Sequence, residues 1–78
     1  MQPSDKDRKR WGEQIATARV AKDLSQPKLA NLVDLHPQTI SDTERGIARI
    51  SEATYKRIAI AVGLDPSELL TAEAEEVA

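Results

Sequence analysis

The sequence predicts an all-α domain of five short helices. Three observations predict it. Helix-starting punctuation recurs along the chain, at Ser25, His36-Pro37, Ser51 and Asp65-Pro66. Between these marks the apolar residues recur at three- and four-residue spacing, the period of one helical face. Strand signals are sparse, with three Gly, one Trp, one Tyr, no Phe and no sustained apolar–polar alternation. At 78 residues there is material for one domain, near the size where a single core leaves little surplus stability.

The first helix is expected from about Asp7 to Lys22, with Trp11, Ile15 and Ala18 on one face. Asp23 and Leu24 form the turn. Ser25 caps the second helix, because its hydroxyl can accept a free N–H of the first turn. Pro27 falls in that turn, where no N–H is needed, and Leu29, Leu32 and Val33 supply the apolar stripe. Asp34, Leu35 and His36 make the next turn. Pro37 pre-sets a helical φ at the first position of the third helix and pushes His36 toward the extended backbone of a cap. That helix runs to about Glu44 or Arg45, and Gly46 ends it as a left-handed residue. After the loop from Ile47 to Ile50, Ser51 caps a fourth helix carrying Tyr55, Ile58, Ala59 and Val62, which Gly63 stops. Asp65-Pro66-Ser67-Glu68 opens a fifth with Leu69 and Leu70. The expected core is Trp11, Ile15, Leu24, Leu29, Leu32, Val33, Leu35, Ile40, Ile50, Tyr55, Ile58, Ala59, Val62, Leu64 and Leu69.

Composition narrows function. The absence of Cys excludes disulfides and thiolate zinc sites, and the single His excludes a His-rich metal site. No Gly-rich phosphate loop and no Ser–His–acid set stand at a workable spacing, so no enzyme, no catalytic residue, no metal and no cofactor are expected. No apolar run is long enough to span a bilayer, and residues 1–10 lack the apolar stretch of a secretory leader. The expected location is cytoplasmic. The net charge of −2 is unevenly spread: residues 1–62 hold all 11 Lys and Arg against 8 acids, whereas residues 63–78 hold 5 acids and no base. The body is mildly basic, a modest footprint for a nucleic-acid binder.

The second and third helices, joined by a short turn, form the supersecondary unit used to read DNA. A third helix of this kind lies in the major groove and offers polar side chains to base edges. Here Gln38, Thr39, Ser41 and Asp42 are polar around the apolar anchor Ile40. Gln can pair with adenine, Asp can accept from cytosine N4, and Ser or Thr suits several partners. Arg45 and Arg49, just past the helix, are the natural phosphate contacts. His36 and Pro37, at the helix start, complete the DNA-facing set; His36 is foremost a cap.

The run Leu24-Ser25-Gln26-Pro27-Lys28-Leu29-Ala30, then Thr39-Ile40-Ser41, then Glu44-Arg45-Gly46, resembles the Cro/phage-repressor type of helix-turn-helix, the xenobiotic-response-element family. The resemblance covers about Gly12 to Leu70. It implies a compact five-helix, lambda-repressor-like domain that binds double-stranded DNA, usually as a homodimer on a palindromic operator. It also implies that Gln26 contacts a phosphate and braces the third helix, through a bond to Gln38, and that Arg19 and Glu44 form a buried structural ion pair. Asp23 and Asp34 depart from the glycines frequent at the family's two turns; Asp tolerates left-handed backbone better than most residues. His36 replaces the usual Ser or Thr cap, and Asp42 places a negative charge where relatives often carry Gln or Arg.

The organisation expected is a mobile basic arm over residues 1–8, a DNA-binding domain over 9–71 with the helix-turn-helix proper at 25–46, and an acidic tail over 72–78. Leu69 and Leu70 are the candidates for a dimer interface. The leading function is a sequence-specific transcriptional regulator, a repressor by resemblance. The alternative is a protein-interaction module, or an antitoxin-like partner binder, that keeps the fold with weak or no DNA binding.

Overall fold

In a computed structural model, which describes residues 3–67, every regular element is a helix: α1 (Asp5–Ala21), α2 (Gln26–Val33), α3 (Pro37–Glu44) and α4 (Glu52–Ala61). Four helices therefore stand among the described residues where five are expected. Pro66 and Ser67 are helical, and the Asp65 carboxylate accepts from Ser67 N at 3.0 Å as a cap should. That bond holds the Asp65 carboxyl below its ordinary pKa. The rest of the expected fifth helix, with Leu69 and Leu70, and the acidic tail lie outside the described residues.

The helix starts follow local chemistry. Ser4, Ser25 and Ser51 are extended at ψ 165°, 159° and 160°, and each hydroxyl accepts an N–H three residues on. His36 (ψ 142°) caps through Nδ1, which accepts from Gln38 N, two residues on, at 3.1 Å. The Ser4 cap corrects the first boundary. The segment expected as a mobile arm is helical from Asp5, with Asp5 and Asp7 in the first turn, where acids suit the helix dipole. Asp7 and Arg8 are buried, and Arg8 pairs with Asp5 and donates to Pro3 O at 3.3 Å. The cap at Ser4 lies directly beside the basic cluster of Lys6, Arg8, Lys9 and Arg10.

The helix ends share one device. Asp23, Asp34, Gly46 and Gly63 are left-handed, at φ 55°, 57°, 78° and 84°. The N–H of the following residue returns to a carbonyl five positions back: Leu24 to Arg19, Leu35 to Ala30, Ile47 to Asp42, Leu64 to Ala59, at 2.9–3.2 Å. This is the Schellman closure, in which an apolar residue follows the left-handed one. Leu24, Leu35 and Leu64 pack on the core, whereas Ile47 stays exposed.

The core joins Trp11 and Ile15 of α1, Leu29, Ala30 and Val33 of α2, Ile40 of α3, and Tyr55, Ile58 and Ala59 of α4 with Val62. Trp11 and Tyr55 meet edge to face, centroids 5.3 Å apart at 70°. Burial raises the Tyr55 pKa, and its hydroxyl donates to Ala48 O at 3.4 Å. Leu32 corrects the expected core, being 64% exposed. The buried edge of α2 is Leu29, Ala30 and Val33; the small Ala30 lets the helix turn that edge inward and carries Leu32 out.

Gly12 had no assigned role in the sequence, yet it sets the approach of α1 to α3. A Cβ there would lie 2.3 Å from Thr43 O, a backbone atom that cannot move away cheaply. Gly46 answers two demands, its φ of 78° and the Lys9 Cα, 2.9 Å from where a Cβ would stand.

Candidate nucleic-acid interface

The candidate site is α3, and its two edges differ. Ile40 and Thr43 are fully buried, and the Thr43 hydroxyl donates to Thr39 O at 2.7 Å. His36, Pro37, Gln38 and Arg45 are exposed; Thr39, Ser41 and Asp42 are half-buried. Gln38, Asp42 and Arg45 recur at i, i+4 and i+7 and so form one outward polar edge. Arg49 is exposed on the loop that follows.

What holds α3 is a three-helix polar junction. Arg19 Nε donates to Glu44 Oε2 at 2.6 Å and Arg19 Nη2 to Oε1 at 3.1 Å, a bidentate pair with side chains 16% and 8% exposed. Arg19 Nη1 also donates to Leu24 O at 2.7 Å. Gln26 Nε2 donates to Glu44 Oε1 at 3.0 Å. The end of α1, the start of α2 and the end of α3 thus converge on one carboxylate. An acid at the end of a helix opposes the dipole, and the guanidinium offsets this.

The junction corrects one expectation. Gln26 bonds Glu44, not Gln38. Gln38 instead donates through Nε2 to Asp42 Oδ1 at 3.0 Å, one turn along its own helix, with Arg45 Nη1 3.9 Å from the same oxygen. Gln26 faces the far end of α3 because it follows the cap of α2, beside the turn that Arg19 closes.

Sequence reasoning passed over two further supports. Thr43, polar and in the last turn of α3, is a core residue; its signal is the bond from a Thr hydroxyl back to the carbonyl four residues earlier that a helix allows. Arg57 of α4 donates to Val33 O at the end of α2, and nothing in the sequence pairs those two positions. Among the described residues no cluster of His, Asp or Glu could hold a metal, and no helix is long and apolar enough to cross a membrane.

Comparison with known proteins places this geometry. A model of the helix-turn-helix family matches residues 15–69. The control protein C.BamHI of Bacillus amyloliquefaciens is 39% identical over 61 residues, which span 77% of this chain and 75% of that protein. The crystal structure of the restriction-modification controller protein C.AhdI from Aeromonas hydrophila superposes with a TM-score of 0.73 at 32% identity, covering 83% of this chain and 94% of that one. The clp gene regulator ClgR from C. glutamicum shares the fold, with a TM-score of 0.74 at 24% identity over 92% of this chain and 94% of its own. The matched span contains both helices of the motif, the Arg19–Glu44–Gln26 junction and the outward edge of α3, and the chain belongs to the Cro/phage-repressor type of helix-turn-helix family.

Proposed function

We propose that this protein is a transcriptional regulator that binds double-stranded DNA as a homodimer on a palindromic operator, with α3 in the major groove. The observation that carries the reading is the division of α3. One edge is locked by Ile40, Thr43 and Glu44, and the other presents Gln38, Ser41, Asp42 and Arg45 outward. A rigid helix with a polar free edge is what direct readout of base edges requires. Gln38, Thr39 and Ser41 then face bases, Arg45 and Arg49 face phosphates, and Gln26, at the start of α2, contacts the backbone. The nature of C.BamHI and C.AhdI supports a narrower role, control of the genes of a restriction–modification system.

The test is fluorescence anisotropy with labelled duplexes over a salt series, with sedimentation of the bound species. Phosphate contacts predict a log–log salt slope of roughly −0.9 per contact, and the complex should contain two chains. A flat slope with no preferred duplex, or a single chain per site, would contradict the reading.

A further inference from the structure

We propose that Asp42 is a positioning residue: by holding the Gln38 amide in one orientation, it makes Gln38 select adenine at one operator base pair. This rests on the DNA-binding reading above. Gln38 and Asp42 lie one turn apart on the outward edge of α3, and Gln38 Nε2 donates to Asp42 Oδ1 at 3.0 Å. A primary amide has a donor end and an acceptor end of similar shape, so an unrestrained Gln presents either to a base. An ionised carboxylate only accepts. Asp42 therefore engages the NH2 end alone, and turning the amide over would set Oε1 against the carboxylate.

The consequence is a choice between purines. With one N–H held by Asp42, Gln38 retains one N–H and Oε1. That donor–acceptor set matches adenine N7 and N6–H. Guanine shows two acceptors, N7 and O6, and would meet Oε1 with like polarity. An unrestrained Gln can offer both N–H groups to guanine; a held one cannot.

The charge of Asp42 has the opposite effect on affinity. It stands on the face turned toward DNA, where phosphates repel it, and Arg45 Nη1 at 3.9 Å offsets only part. Asp42 thus lowers general affinity and raises discrimination, two readouts that a merely structural residue would not move in opposite directions.

The experiment uses the full chain and duplexes carrying its selected site. The base pair read by Gln38 is the one whose preference disappears in Gln38→Ala. At that pair the wild type should prefer adenine over guanine by roughly tenfold or more. Asp42→Ala should melt like the wild type, bind unrelated duplex more tightly and keep a preference of under roughly threefold. In a Gln38→Ala background the Asp42 change should alter no preference. Retention of the full preference in Asp42→Ala, or a Gln38-dependent pair that is not A·T, overturns the positioning role while leaving DNA binding intact. A wild type with no preferred sequence overturns the DNA-binding reading and this role with it.

Discussion

Replacing Glu44 by Ala removes the acceptor shared by Arg19 and Gln26, and the cost can be worked from the geometry. Two donors of Arg19 and one of Gln26 lose their partner in a site where the ion-pair side chains are 16% and 8% exposed. Removing one member of a buried pair costs about 3–5 kcal/mol, because the other charge stays desolvated. Arg19 keeps its bond to Leu24 O, which argues for the lower end, about 3 kcal/mol. A domain of this size has roughly 4–12 kcal/mol in total, so the variant should keep roughly 1–9 kcal/mol and remain folded at low temperature. The melting temperature should fall by about 12–24 °C. Urea unfolding followed by helical circular dichroism and Trp11 fluorescence measures it. Arg19→Met with Glu44→Leu should recover more than half of the loss, since an apolar pair leaves no charge stranded. A loss under about 0.5 kcal/mol for Glu44→Ala would refute the claim that this junction holds α3.

Three further outcomes follow from the packing. Gly12→Ala should destabilise by about 2 kcal/mol despite the better helix propensity of Ala, since the new Cβ meets Thr43 O; thermal melting checks it. His36→Ala should cost about 1 kcal/mol by removing the acceptor for Gln38 N, and His36→Ser should restore it, both by urea titration. Leu32→Gln should stay within about 0.5 kcal/mol of the wild type, because Leu32 is 64% exposed; a loss of 2 kcal/mol or more would return Leu32 to the core.

Most helix boundaries were legible because they rest on local chemistry. Ser25, His36-Pro37 and Ser51 start helices, and Asp23, Asp34 and Gly46 end them, by interactions that reach five residues at most. The first boundary was missed because Ser4 stands beside a basic cluster that reads as an arm. Partners across helices were harder. Whether Gln26 meets Gln38 or Glu44 depends on how α2 and α3 are rotated against each other, which periodicity leaves open by a residue or two. The same rotation exchanges Leu32 for Ala30 at the core. Gly12 carried a signal, a glycine inside a long helix, but its meaning needed the Thr43 carbonyl on the neighbouring helix.

If the outward edge of α3 reads a DNA sequence, selection of bound duplexes from a random pool, with wild type and Gln38→Ala in parallel, should show it. The wild type should enrich a palindrome with half-sites one helical turn apart, about 10 bp centre to centre, and the variant should relax one symmetric pair of positions. No enriched sequence, or an enrichment that Gln38→Ala leaves unchanged, would contradict that role.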